Sequence, residues 1–345
     1  MDLSHSKQYC EDIGVTLSHV VNAQKLRGKT ILITGATGTI GSFLAETLIR
    51  MSTDMNLKVC LAGRNVQKLQ RQFGDCHAVR FLQYDMNSPI DFDVSVDYII
   101  HAAGNAHPYA FQRDPVGTIM GNVESTFRLL EYAREHGGER LLYVSSGEVY
   151  GQWDVALDAV DEAYAGYVDP LAQRSCYPMS KRMTENLCAS YWKQYGLESV
   201  VVRPCHTYGP CITETDNRAH AQFFRNALAG ENIVLKSAGK QLRSYNYVAD
   251  CVSGLLTVLT TGIAGEAYNL ANSQARLTIA ELAQRIAEAT GTKVLFENPT
   301  PLEMTNQTPI AKQVLDTHKL ENLGWVPAFG VDEGISHTLK ILREE

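Results

Sequence analysis

Residues 29–50 read KTILITGATGTIGSFLAETLIR. A β-rich run ends at Gly35, glycines recur at 38 and 41, and an amphipathic helical pattern follows over 40–52. At a strand-to-helix junction these glycines have separate tasks. One permits the tight turn, one lets the backbone approach a pyrophosphate, and one lets the helix pack closely on the strand. The helix N-terminus then offers unpaired N–H groups to the phosphate. A glycine triplet alone is an ordinary turn; the strand before it and the helix after it make it a dinucleotide motif.

The same rhythm continues along the chain. Further β-rich runs lie at 57–62, 78–83, 96–101, 140–145 and 199–203, with helical patterns at 65–72, 115–136 and 178–195. Strands alternating with helices predict an α/β fold: a doubly wound parallel sheet of Rossmann type, its ligand beyond the carboxyl ends of the strands. After residue 204 the rhythm breaks into a segment rich in Pro, Gly, Asn and Thr around one helix (218–229). A strand–helix unit follows at 267–290, and a closing helix near 331–343. The expected division is a polar N-terminal helical extension (1–28), a dinucleotide-binding domain (29–204 with 245–272) and a smaller substrate-binding lobe (205–244 with 273–345).

A net charge of −7, with no long Lys or Arg run, argues against a nucleic-acid surface. The eight cysteines are scattered without a CxxC pair, so they are expected to be reduced thiols, with no metal site. The N-terminal MDLSHSKQYCEDIGV lacks the apolar segment of a signal peptide, and no uncharged apolar run reaches about 18 residues. A cytoplasmic protein without a membrane partner is expected.

The second strand ends in KVCLAGRN, with Gly63 where an NAD site usually places an acid for the adenosine ribose, and then Arg64. A guanidinium suits a 2′-phosphate, which leans the reading toward NADP over NAD. The alternative is a solvated or adenine-stacking Arg64 with NAD bound. Asp85, after the third strand, is placed to accept from the adenine amine. Ala102, Ala103 and Gly104 are small enough for close passage of the cofactor, and Asn122 lies one helix later.

YVSSGEVYG closes the fifth strand, and about thirty residues on CYPMSKRMTENL opens a helix. Tyr177 and Lys181, four apart, share one helix face. A phenol is too weak an acid to serve as a base at neutral pH; a neighbouring ammonium and an oxidised nicotinamide favour the phenolate. Tyr177 then takes a hydroxyl proton while hydride leaves the same carbon, and Ser146 holds the reacting oxygen.

In order along the chain, ITGATGTIG, HAAG, SSGEVYG, YPMSK, RPCHTYGP and QLRSYNYVAD resemble the extended short-chain dehydrogenase/reductase family over about residues 29–343. The family includes nucleotide-sugar epimerases, dehydratases and decarboxylases. The resemblance implies a tightly bound nicotinamide cofactor, Ser146, Tyr177 and Lys181 as catalytic residues, and a homodimer built on helices 115–136 and 178–195. The cofactor site it outlines is Gly35, Thr37, Gly38, Thr39, Ile40, Gly41, Arg64, Asp85, Met86, Ala102, Ala103, Gly104, Asn122, Ser145, Tyr177, Lys181 and Pro204. The implied substrate is a nucleotide diphosphate sugar, oxidised transiently at C4 and reduced again within one turnover.

Glu148 shares the parity of Ser146 along the strand end, so both are expected in the cleft. The family's 4,6-dehydratases carry an Asp-Glu pair here; Gly147 replaces the Asp, which weakens dehydration. SSGEVYG with RSCYPMSKR looks nearest to UDP-glucuronate decarboxylases, although the arginine they carry near the tail corresponds to Gln313, beside Lys312. Arg243 matches the family's phosphate-binding arginine, with Arg218 assisting. His206 stands where the family usually has Asn. Epimerase and decarboxylase chemistry both remain open, with a net NADP-dependent reductase or dehydrogenase with exchangeable cofactor, or a 4,6-dehydratase, as the alternative.

Overall fold

The computed structural model describes residues 3–74, 76–106, 108–213, 216–299 and 310–344. Seven parallel strands form the central sheet: β1 (Thr30–Thr34), β2 (Lys58–Gly63), β3 (Val79–Gln83), β4 (Tyr98–His101), β5 (Arg140–Val144), β6 (Glu198–Pro204) and β10 (Ala267–Leu270). Their spatial order is β10-β6-β5-β4-β1-β2-β3. The order reverses between β1 and β4, which opens a crevice beyond their carboxyl ends.

Alternation along the strands divides the core in two. Ile31 and Ile33 of β1 face a layer containing α2 (Thr39–Met55) and α8 (Val248–Thr261), through Phe43, Leu44, Leu48, Val252 and Leu255. Leu32, Ile99 and Leu141 point the other way, into Leu129 and Leu130 of α5 (Pro115–Glu135) and Cys188 and Tyr191 of α6 (Cys176–Tyr195). Helix α8 is buried almost all round, and Trp325 Nε1 donates to its Ser253 Oγ at 2.9 Å. Asp250, in the first turn of α8, accepts from Ala328 N and Phe329 N at 2.7 and 3.2 Å.

The N-terminal segment is no detached polar tail. Helix α1 (Lys7–Ser18) is capped by Ser6 and buries Tyr9 and Ile13 in the first core. Its polar face is also used: Asp12 accepts from Tyr247 Oη at 2.6 Å and pairs with His337 Nδ1 at 2.9 Å. The segment thereby ties the second half of the chain to helix α2.

A second sheet covers the crevice. Strand β9 (Leu242–Tyr247) lies between β11 (Arg276–Thr278), antiparallel, and β13 (Lys312–Gln313), parallel; β7 (His206–Tyr208) also pairs with β9. Strands β8 (Ile233–Leu235) and β12 (Val294–Phe296) form a separate pair. Helices α7 (Ala219–Leu228), α9 (Ile279–Thr290) and α11 (Val331–Arg343) pack around these strands. Between them, α10 (His318–Glu321) is a single turn. The remaining helices are α3 (Val66–Phe73) and α4 (Pro108–Arg113). Among the described residues no helix is long and apolar enough to cross a membrane.

Candidate active site

The glycine turn has the shape its spacing requires. Gly35 adopts φ +77°, and a Cβ there would lie 2.7 Å from the backbone of Ala102 and Ala103. A Cβ on Gly41 would fall 2.1 Å from Gly35 O, so only hydrogen lets α2 seat against the strand end. Across the crevice Asn122 is buried on α5, donating through Nδ2 to Ser180 Oγ at 2.9 Å. Its Oδ1 has no partner among the described residues and lies 3.2 Å from where a Gly104 Cβ would be. A buried acceptor left open beside a glycine-lined passage fits a bound dinucleotide, because such an atom otherwise costs about 1–3 kcal/mol.

A cleft of about 340 Å³ runs from this turn to the second sheet. It brings together Ile40, Ala102, Gly104, Ser145, Ser146, Gly147, Glu148, Tyr177, Lys181, Pro204, His206, Arg218 and Arg243. Of the other expected cofactor contacts, Gly35, Thr37, Gly38, Thr39, Gly41, Ala103 and Asn122 are not in this lining, and neither are Arg64, Asp85 and Met86. Arg64 is exposed after β2, and Asp85 accepts from Asn87 N at 2.9 Å in a turn. The Ser145 hydroxyl is turned toward Glu185, at 2.5 Å.

Ser146 caps a 3-10 turn, Gly147–Tyr150, through a 3.2 Å bond from Glu148 N. Strand parity therefore does not orient Glu148, as the alternation argument assumed. The backbone has left the extended conformation, and the turn swings the carboxylate onto Arg174, whose Nη2 donates to both oxygens at 2.8 and 2.7 Å. Arg174 lies in a second 3-10 turn (Gln173–Ser175) leading into α6.

Tyr177 and Lys181 share one face of α6, with no hydrogen bond between them among the described residues. Lys181 Nζ donates to Val144 O at 2.9 Å and sits 5.7 Å from the centroid of the Tyr177 ring. Burial pulls the lysine down to about 7. Burial, with Glu148 adding to it, pushes the Tyr177 phenol up to about 12, while Ser146 and Arg174 oppose. Desolvation is the largest influence on both groups.

Around the far end, His206 is kept neutral by burial, with Arg243 and Arg218 adding, its pKa near 3. Its Nδ1 has no partner among the described residues. Arg243 is buried and donates to Leu242 O and Ile310 O at 3.0 and 2.6 Å. Arg218 is held by the Asp216 carboxylate and reaches Thr39 Oγ1 at 3.1 Å. Sequence reasoning missed Phe111, which stacks on Tyr177, and Arg174, although its position three residues before Tyr177 was a usable signal.

Comparison with known proteins agrees with this geometry. Residues 31–271 match the model of the NAD dependent epimerase/dehydratase family. The chain belongs to that family. A UDP-glucuronic acid decarboxylase of Arabidopsis thaliana is 33% identical over 309 residues, covering 88% of this chain and 86% of the relative. One from Xenopus tropicalis is 30% identical over 320 residues, 92% and 73% of the two chains. Among solved structures, a dTDP-glucose 4,6-dehydratase of Streptomyces venezuelae with NAD bound superposes with a TM-score of 0.77 at 25% identity, covering 91% of this chain and 97% of that one. The chain is therefore an enzyme of a nicotinamide-dependent family. Gly35, Gly38, Gly41, Gly104 and Asn122 are the residues that would hold such a cofactor at this turn and crevice.

Proposed function

We propose that this enzyme acts on a nucleotide diphosphate sugar bearing a carboxylate, of the UDP-glucuronate type, through a transient 4-keto sugar, and removes the carboxyl group as carbon dioxide. The observation that carries the reading is the meeting of Ser146, Tyr177 and the Glu148–Arg174 pair in one cleft, with Gly147 where a dehydrating acid would stand. The decarboxylases among its relatives support it.

A nicotinamide held by the glycine turn and Asn122 would supply a hydride acceptor and donor for C4 and a positive charge near the phenol. The protein's own groups do the rest. Ser146 holds the C4 oxygen and Tyr177 takes its proton; the positive ring favours the phenolate that burial alone opposes. Lys181, anchored on Val144 O, fixes the floor of the site. Once C4 is a ketone, the electrons of the breaking C5–carboxyl bond pass into the carbonyl, and Glu148 is the group placed to handle the proton at C5. Arg243 and His206 offer donors to the diphosphate end.

The test is direct. Purified protein is incubated with NADP or NAD and UDP-glucuronate labelled with ¹³C at the carboxyl, and products are followed by NMR. Labelled bicarbonate together with a UDP-pentose is the expected result. A C4-epimeric uronate that keeps its label supports the second reading, epimerisation, which Gln313 favours by supplying an uncharged amide in place of the relatives' tail arginine. Unchanged substrate in the presence of bound cofactor sinks both.

Two finer points belong to the same proposal. NADP is preferred over NAD because Gly63 stands where the usual acid would be and Arg64, exposed, follows it. Two copies pair through α5 and α6, whose outer side leaves Val116, Met120, Phe127 and Met183 exposed. The eight free thiols fit a reducing compartment such as the cytoplasm.

A further inference from the structure

A uronate brings a second carboxylate into a cleft that already contains Glu148. Two like charges at close range are tolerated only with a cation between them. Of the cations lining the cleft, three are committed elsewhere. Lys181 donates to Val144 O, Arg218 is held by Asp216 and Thr39, and Arg243 donates to two backbone carbonyls.

Arg174 differs. Its side chain is 33% exposed, and it holds Glu148 with Nη2 alone. Among the described residues Nε and Nη1 donate to no acceptor. The guanidinium lies 4.7 Å from the centroid of Phe111, whose ring in turn stacks on Tyr177, so its position is set relative to the Tyr177 phenol. A guanidinium carries five N–H donors in a rigid plane, enough for two carboxylates at once. Gln313 also lines the cleft, its Nε2 3.0 Å from the place of a Gly147 Cβ, and supplies a donor without charge.

We propose that Arg174 recognises the carboxylate of the sugar, holding it beside Glu148 and taking the part of the tail cation that Gln313 lacks. The proposal rests on the uronate reading above and adds the residue that distinguishes a uronate from a neutral hexose. Because the same guanidinium neutralises Glu148, it also keeps the site from repelling an anionic substrate before the chemistry begins.

The test is affinity, measured by titration calorimetry on NAD-loaded protein in a Tyr177→Phe background that prevents turnover. UDP-glucuronate and UDP-glucose are compared, with UDP alone reporting that each variant retains its nucleotide site. Arg174→Gln is expected to weaken UDP-glucuronate about tenfold or more, equivalent to about 1.4 kcal/mol, while UDP-glucose changes by less than about threefold. Arg174→Lys, which keeps the charge and loses the fork, should fall between. If Arg174→Gln no longer binds UDP, the comparison is read from Arg174→Lys. Equal weakening of both sugars, or no weakening of either, overturns the assignment of Arg174 while leaving the uronate reading intact. Failure of the parent protein to bind UDP-glucuronate overturns that reading, and this assignment with it.

Discussion

Phe111 stacks on Tyr177 with ring centroids 4.5 Å apart and planes 22° from parallel. The pair is nearly inaccessible, and the contact fixes a phenol that has to meet a sugar carbon within a few tenths of an ångström. Replacing Phe111 by Ala should cost about 3 kcal/mol of stability and lower kcat by about tenfold or more. Phe111→Leu, which fills the space without a flat ring, should recover most of the stability and less of the rate. Thermal unfolding and initial rates on the two variants check this, and a wild-type rate in Phe111→Ala would refute the positioning role.

Tyr177→Phe removes the proton acceptor and keeps the ring. Loss of at least about 100-fold in turnover is expected, with the cofactor still bound after gel filtration. The free phenol ionises only near pH 12, because burial disfavours its charged form. Oxidised cofactor should move that ionisation downward. Ultraviolet difference titration of the phenolate, with and without NAD, reads the displacement, and an unchanged titration argues against the cofactor lying beside Tyr177.

Glu148→Gln separates oxidation at C4 from the steps after it. Absorbance of reduced nicotinamide near 340 nm should build up in the variant on adding substrate, and product should not form. Equal loss of cofactor reduction and product formation would remove Glu148 from the later steps.

Asp250 makes stability depend on pH in an unusual direction. Burial raises its carboxyl to about 7, against an ordinary value of 3.8. The folded state therefore binds this proton more tightly than the unfolded chain does. The resulting stabilisation is complete below about pH 4 and is lost as the pH rises through about 7. Wild-type protein should lose several degrees in Tm between pH 5 and pH 8 that Asp250→Asn, uncharged throughout, does not lose. Parallel Tm profiles for the two proteins would contradict the raised carboxyl.

The parallel sheet was legible because its signals are local. Each strand of the sheet from β1 to β6 shows as a short β-rich run, and the glycine spacing at 35, 38 and 41 reports a turn made by consecutive residues. The Tyr177–Lys181 pair was visible for the same reason, since four residues on a helix return to one face. What those two groups do to each other was not visible. Their distance and hydrogen bonds depend on Val144, one strand away, and their acidity depends on burial.

The amino-acid order alone determined the doubly wound fold and the glycine turn, and it put forward Ser146, Tyr177, Lys181 and Glu148 as candidates for one site, because local pattern and spacing are properties of neighbouring residues. Tertiary structure decided that Asn122 turns an open acceptor to the passage beside Gly104, that α1 is cemented by Asp12, and that Glu148 meets Arg174. Those contacts join residues from separate elements. Electrostatic and packing energies depend on distances in space, which pattern along the chain does not encode.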